Sequence, residues 1–271
     1  MLRGRHQRYD KLYLYSLNRK HPALHEISDE DFIGCWEEDD LAILFFHRPK
    51  RELVEEVARK FGLTLEDQAE VTYDEWGEGR KVGTLQVGPL TLRPLWQEGD
   101  GLRFDPGVVF GSGNHPTTRL CLSWIYRLWE EFGPFERAAD LGCGAGLLSL
   151  LLTALGAEVL AVDFNPLCVA LTEKNLRLNG LHHKATVVQE DVRKVLPLQA
   201  ELVVANLFKG ILLDLFGLPS FWTARHYLIS GFSPSMEEEL KAALWPKVEL
   251  KGREEKDGWV IWHLENKMLK P

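Results

Sequence analysis

The chain has 271 residues, of which 45% are hydrophobic and 27% charged, a balance typical of soluble globular proteins. This composition excludes a disordered tail, a collagen-like chain and a disulfide-stabilised miniprotein. The four cysteines form no C-x-x-C pair, which argues against a zinc ribbon or a dithiol redox motif and predicts buried thiols in a reducing cytoplasm. No metal site, signal peptide or membrane helix is predicted, since the longest apolar stretch (145–157) is shorter than the ~18–20 residues a bilayer requires.

The charge distribution narrows the class of partner. A net charge of −8 is unfavourable for binding phosphates, so no direct nucleic-acid contact is predicted. Residues 26–100 carry nineteen acidic and eight basic side chains, whereas residues 1–25 carry six basic and one acidic. An acidic region of this kind attracts a basic protein; alternatively, it only keeps the domain soluble.

Residues 1–95 are predicted to form a small α+β domain, followed by a polar, glycine-containing linker at 96–103. A helix is predicted from Pro49 to Gly62, because its apolar residues recur at helical spacing. The connection at 19–31 is short, and no helix is predicted there. Strands are predicted at 9–17, 32–36, 41–47, 71–76 and 82–95.

Residues 104–271 are predicted to form a second domain in which strands and helices alternate, a pattern that indicates a parallel sheet with crossover helices. A turn at 256–258 predicts a final hairpin and therefore an antiparallel last strand. The predicted helices, apart from one after residue 116, are 146–155, 166–179, 209–222 and 234–244. The predicted strands are 137–141, 159–163, 185–190, 202–206, 227–230, 248–251 and 259–264.

The sharpest motif is D-L-G-C-G-A-G at residues 140–146, between an apolar strand and a helix. Gly142 and Gly144 allow a tight turn and close approach to a ligand, while the helix start offers N–H groups to an anionic group. Asp163 ends the next strand, at the spacing where a carboxylate accepts both hydroxyls of a ribose. A dinucleotide loop requires G-x-G-x-x-G, but Leu147 occupies the last position. A nucleoside-type ligand is therefore predicted, and a nicotinamide dehydrogenase is disfavoured.

This combination resembles the class I S-adenosylmethionine-dependent methyltransferases. The resemblance implies a Rossmann-like α/β fold with an antiparallel final hairpin, with Gly142 and Gly144 at the methionine end of S-adenosylmethionine and Asp163 at its ribose. In that family an acidic residue after the third strand often meets the adenine amino group, and Asp191 is the candidate here. The alternative is that Asp191 only caps the turn that follows it.

Three further segments resemble the ribosomal protein L11 methyltransferase family: D-P-G-V-V-F-G-S-G-N-H-P-T-T at 105–118, L-V-V-A-N-L at 202–207 and L-I-S-G-F at 228–232. The resemblance covers most of residues 93–264 and implies that Thr118 and Asn206 also contact S-adenosylmethionine. The chain departs from the family pattern at Ser112 and Asn114, in the L-F-K-G that follows Asn206, and in a shortened amino-terminal region.

The resemblance implies an S-adenosylmethionine-dependent protein methyltransferase that N-methylates lysine or amino groups of a basic ribosomal large-subunit protein. Its first domain would recognise the substrate. Asn206 is the predicted catalytic residue, accepting an N–H bond from the amine; alternatively it binds the methionine moiety or is a strand-end turn residue. A second open question is whether His115 acts as a base or is an ordinary turn residue. Other open alternatives are a different protein lysine, a small amine, or a non-catalytic relative that binds a partner. The oligomeric state is not predicted.

Overall fold

The computed structural model describes residues 11–38, 41–72 and 82–269. Its contacts divide the chain into two compact units, Met1–Val82 and Gly83–Pro271. This division falls earlier than the predicted boundary at residue 95, because the short strands after residue 83 group with the second unit. Three predicted elements extend beyond the described residues. These parts are residues 9 and 10 of the first predicted strand, residues 39 and 40 of the predicted turn, and residues 73–76 of another predicted strand.

The first unit contains a four-stranded antiparallel sheet in the order β2-β3-β1-β4. The helix α1 (Arg51–Phe61) buries Val54 and Ala58 in the core of this unit and ends at Gly62, as predicted. A short 3-10 helix, Pro22–Glu26, lies in the connection for which no helix was predicted, and its Leu24 is fully buried. The strands are β1 (Lys11–Leu17), β2 (Phe32–Glu38), β3 (Leu41–Phe46) and β4 (Leu65–Thr72).

The second unit begins with a small three-stranded sheet in the order β5-β6-β7. The strand predicted at 82–95 is two strands, β5 (Leu85–Val87) and β6 (Leu90–Pro94), joined by a turn. The predicted linker at 96–103 instead connects β6 to β7 (Leu102–Phe104), which pair in parallel. Polar, glycine-rich composition is common to linkers and to turns inside a sheet, so composition alone did not separate them.

The main sheet has seven strands, which are β8 (Arg137–Leu141), β9 (Glu158–Asp163), β10 (Ala185–Gln189), β11 (Leu202–Asn206), β12 (His226–Phe232), β13 (Val248–Lys256) and β14 (Trp259–Asn266). Their order across the sheet is β10-β9-β8-β11-β12-β14-β13. The first five strands in this order are parallel, and β14 runs antiparallel to both of its neighbours, which confirms the predicted fold class.

The helices of the second unit connect these strands. None of the described helices is long and apolar enough to cross a membrane. The predicted helix at 209–222 ends early, because a separate 3-10 turn, Pro219–Phe221, follows it. The helices are α2 (Pro116–Phe132), α3 (Leu147–Ala154), α4 (Pro166–Leu178), α5 (Lys209–Phe216) and α6 (Glu237–Ala242).

The strand order reverses between β8 and β11, which are neighbours although two other strands separate them along the chain. In open α/β sheets, ligands bind in the crevice outside the carboxyl ends of the strands at such a reversal. Leu141 of β8 lies opposite Ala205 of β11. The residues that follow, Gly142 and Asn206, therefore lie at this point of the sheet.

Candidate functional site

The glycine loop 142–146 leaves β8 and enters α3 with left-handed backbone at Gly142 (φ 76°), Gly144 (φ 53°) and Gly146 (φ 76°). A Cβ at Gly144 would lie 2.4 Å from the carbonyl oxygen of Phe110, and one at Gly142 would lie 2.4 Å from a side-chain carbon of Leu207. Glycine is therefore needed for both conformation and space.

The N–H groups of this loop bond within the protein, a feature the sequence did not predict. Gly142 and Cys143 donate to the carbonyl of Val162, at 2.8 and 3.1 Å. Gly144 donates to Asp163, Ala145 to Phe110 and Gly146 to Cys143. The loop therefore contributes shape and a close backbone approach, whereas the expected N–H donors of residues 142–146 already have partners.

The segment before α2 is fixed against the glycine loop by Asn175 of α4, which is fully buried. The Asn175 amide donates to the carbonyls of Asp105 (2.9 Å) and Ala145 (2.8 Å), and its oxygen accepts from the Asp105 N–H at 2.7 Å. Ala145 in turn donates to the Phe110 carbonyl at 2.9 Å. One buried amide thus ties together the two loops whose motifs are far apart in the sequence.

Thr117 connects α2 to the end of β11. The Asn206 amide donates to Thr117 Oγ1 at 3.1 Å, and that hydroxyl lies 2.7 Å from Nδ1 of His115. His115 caps α2, because its Nδ1 also accepts from the Thr117 N–H at 3.3 Å. These contacts place His115 as a capping residue that positions Thr117, in agreement with its interpretation as a turn residue.

Two polar atoms beside this contact are buried and have no hydrogen-bond partner among the described residues: Thr118 Oγ1 and Asn206 Oδ1. An unpaired buried polar atom costs roughly 1–3 kcal/mol, so such atoms are uncommon in folded proteins and often mark functional positions. Both residues were predicted as ligand contacts from the sequence, and the structure brings them to the same point of the sheet through Thr117.

Asp163 ends β9 and is buried. Its Oδ2 accepts from the Gly144 N–H at 3.0 Å, and its Oδ1 accepts from the Asn165 N–H at 2.9 Å. Burial raises the pKa of this carboxyl, while these backbone donors act in the opposite direction. The Cys168 side chain and the Phe164 N–H also donate to this carboxyl, and ribose binding by Asp163 stays a prediction.

Asp191 follows β10 and is held in a local ion pair. Its carboxylate accepts from the Arg193 N–H at 2.9 Å and from the Arg193 guanidinium at 2.6 Å. The side-chain hydrogen bond to Arg193 is the largest cause that lowers the pKa of Asp191 to about 2. The turn-capping alternative is therefore observed, and an adenine contact by Asp191 stays a prediction.

Three large aromatic side chains near these residues are exposed to solvent, and the sequence analysis did not select them. The exposed fraction is 76% for Phe164, directly after Asp163, and 82% for Phe208, two residues after Asn206. Phe110, whose carbonyl contacts the glycine loop, is 50% exposed. Exposed aromatic residues at strand ends are a signal for ligand contacts that the sequence could have given.

Comparison with known proteins places the chain in a family. The model of the ribosomal protein L11 methyltransferases (PrmA) matches residues 55–267. The chain is 34% identical over 214 residues to the ribosomal protein L11 methyltransferase of Desulfitobacterium hafniense, covering 74% of this chain and 65% of that protein. For the enzyme of the same name from Symbiobacterium thermophilum, the identity is 32% over 220 residues, covering 74% and 70%.

A solved structure of a ribosomal protein L11 methylase from Lactobacillus delbrueckii subsp. bulgaricus is similar in fold and sequence. It has a TM-score of 0.58 and 26% identity, covering 68% of this chain and 99% of that one. The matched regions span between 52% and 70% of the length of the curated relatives. The match to the family model extends over most of the second unit and the end of the first. The chain therefore belongs to the ribosomal protein L11 methyltransferase family.

Proposed function

We propose that the chain is an S-adenosylmethionine-dependent protein N-methyltransferase. The observation that carries this proposal is the pair of unpartnered buried polar atoms, Thr118 Oγ1 and Asn206 Oδ1, beside a glycine loop at the reversal point of the sheet. Buried polar groups without partners favour a site that a polar ligand completes. A purely structural loop would not require them.

The residues present fit this cofactor. Gly142 and Gly144 let the loop turn tightly against Leu207 and Phe110 at the carboxyl end of β8, where a ligand would approach the backbone. Asp163 would accept from the ribose hydroxyls. The Thr118 hydroxyl would bind the methionine end. Phe164, exposed next to Asp163, offers an aromatic face for the adenine. Asp191 is kept as an adenine-side residue because it follows β10, the strand next to β9.

The chemistry requires a neutral amine. S-adenosylmethionine, when bound, supplies a methyl group on a positively charged sulfur. A free lysine has a pKa near 10.4, so its neutral form near pH 7.4 costs about 4 kcal/mol, and desolvation beside a positive charge reduces this cost. The proton can leave to water before the attack, so no dedicated general base is needed.

Asn206 is proposed to orient that amine. Its amide nitrogen is already committed to Thr117 Oγ1, which fixes which way the side chain points and leaves Oδ1 as the available acceptor. An acceptor at this place can hold an amine N–H so that the nitrogen lone pair faces the reacting carbon. Holding the reacting groups in this orientation accelerates the reaction. His115 acts indirectly, by holding Thr117.

The substrate class is proposed from charge and from the relatives. Proteins of this family are named for ribosomal protein L11, and the acidic balance of residues 26–100 suits a basic protein. We therefore propose a basic ribosomal protein as substrate, bound in part through residues of the first unit. The exposed Phe208, close to Asn206 in the chain, would add an apolar contact for it.

Two measurements test this function. Calorimetric titration should detect binding of S-adenosylmethionine and of its demethylated product but not of NAD, and mass spectrometry should show methyl groups on purified ribosomal protein L11. Asn206→Ala should lower turnover at least ~10-fold while cofactor affinity changes less. Gln199→Ala, an exposed amide before the other end of β11, is the matched control. Absence of cofactor binding would refute the proposal, and methylation only of another amine would refute the substrate.

A further inference from the structure

The first unit brings together three side chains of types that bind metal ions. His25, Cys35 and Glu37 each offer a ligand atom, and these atoms all lie within 4.8 Å of one another. Within residues 11–38, 41–72 and 82–269, no other group of three His, Cys, Asp or Glu side chains meets this condition. The group lies in a different unit from the proposed methyl-transfer residues.

Two separate elements supply these side chains. Cys35 and Glu37 are two residues apart on β2, so they project from the same face of the strand. His25 lies in the last turn of the 3-10 helix, and its Nε2 is 3.1 Å from Oε1 of Glu37. The Cys35 thiol is buried, whereas the imidazole and the carboxylate are part-buried. The group thus has a buried sulfur on the inside and a route from solvent on the outside.

We propose that the His25 imidazole, the Cys35 sulfur and the Glu37 carboxylate bind one Zn²⁺ ion, with water as the fourth ligand. Nitrogen, sulfur and oxygen donors in one tetrahedral site suit zinc, whereas Mg²⁺ and Ca²⁺ prefer oxygen ligands only. A thiolate and a carboxylate together balance the charge of the ion. Zinc displaces the thiol proton, which passes to solvent when the metal–sulfur bond forms.

The expected consequence is structural. The connection between β1 and β2 contains only a 3-10 helix, anchored by Leu24 and by a stack of His21 on Phe61 with ring centroids 4.6 Å apart. A metal ion shared by His25 and β2 would fasten this connection to the sheet. Small units gain proportionally most from such links, because their cores bury less surface.

Metal binding by the full chain is tested with Co²⁺ as a spectroscopic probe and Zn²⁺ as competitor. After treatment with a chelator, Co²⁺ should give a thiolate-to-metal charge-transfer band and tetrahedral visible bands at one equivalent, and Zn²⁺ should abolish both. Zn²⁺ should also raise the thermal midpoint. Absence of the charge-transfer band, or no thermal shift with Zn²⁺, overturns the proposal.

Variants separate this site from other thiols. Cys35→Ala should remove the charge-transfer band, and His25→Ala should weaken Zn²⁺ binding by more than the ~10–100-fold typical of second-shell losses. His25 is part-buried, so that variant keeps the core intact even if Cys35→Ala unfolds the unit. Cys121→Ala, at a buried thiol of α2, is the control and should retain the band. Undiminished binding in His25→Ala refutes the site. None of these readouts depends on methyl transfer.

Discussion

We expect a pair of buried histidines to make the stability of the second unit sensitive to acid. His226 on β12 and His263 on β14 are 2% and 5% exposed, and Nδ1 of one lies 3.1 Å from Nε2 of the other. Burial is the main cause that lowers the pKa of each ring from 6.5 to about 4. The folded state therefore keeps both rings neutral at a pH where the unfolded chain already binds protons.

The sign and size of this change in the free energy of unfolding follow from the linkage between proton binding and folding. Because the unfolded rings bind protons below about pH 6.5 and the folded rings only near pH 4, their contribution is complete above 6.5 and is lost as the pH falls toward 4. At pH 5 the two rings together should lower the free energy of unfolding by an amount on the order of 4 kcal/mol. Asp140 acts in the opposite direction, since burial raises its pKa from 3.8 to about 6. Its gain at pH 5 is on the order of 1 kcal/mol and is smaller than the loss from the two rings, so a net loss of a few kcal/mol is expected.

Urea unfolding of the full chain at about pH 7.5 and pH 5 measures this difference. The double variant His226→Gln with His263→Gln should lose the acid sensitivity and become slightly more stable at pH 5. Burial raises the pKa values of Asp140 and Asp163, and both carboxyls then favour the folded state as the pH falls. His182→Gln, at an exposed histidine, is the control and should behave as the unmodified chain. An unchanged pH dependence in the double variant would refute the assignment to this pair.

Three further predictions concern the proposed cofactor site. Asp163→Ala should weaken S-adenosylmethionine binding by about 2–4 kcal/mol, which is roughly 30–1,000-fold, because hydrogen bonds to a charged acceptor are lost; calorimetric affinity equal to that of the unmodified chain removes the ribose assignment. Gly144→Ala should lower both thermal stability and cofactor affinity, since its Cβ would lie 2.4 Å from the Phe110 carbonyl; a soluble variant with unaltered affinity argues against the close packing of the two loops. Thr118→Val should leave the ligand-free stability unchanged or slightly raised, because the buried hydroxyl has no partner among the described residues, yet should reduce affinity; a loss of ligand-free stability would contradict this.

Four of the five parallel strands were predictable because they are short, largely apolar runs that are mostly buried. The edge strand β10 was predicted as well, although its residues are part-buried or exposed. The bounds of β8 and β11 match the prediction residue for residue. The strand β4 begins earlier than the predicted strand at 71–76, because most of its side chains are exposed and polar and its hydrogen bonds to β1, not an apolar pattern, define it. Backbone pairing with a distant strand leaves little trace in local sequence.

The candidate site likewise contains residues that local sequence could predict and residues that it could not. Spacing along one strand and one loop was enough to select Gly142 and Asp163. The anchoring role of Asn175 was not predictable, because its partners Asp105 and Ala145 are 70 and 30 residues away in sequence. The ion pair of Asp191 with Arg193, by contrast, is local, although the sequence predicted only that Asp191 caps a turn.

Five buried side-chain atoms have no hydrogen-bond partner among the described residues, and three of them lie at or next to the proposed site. These three belong to Thr118, Asp140 and Asn206, whereas the other two, Arg93 Nε and Trp129 Nε1, lie elsewhere. Asp140 of β8 lies opposite Val204 of β11, two residues before Asn206 at the end of that strand. Each such atom opposes folding by roughly 1–3 kcal/mol. For the Thr118 and Asn206 atoms at the reversal point of the sheet, a bound ligand that supplies the missing partners would offset this unfavourable burial, because it binds the folded state alone.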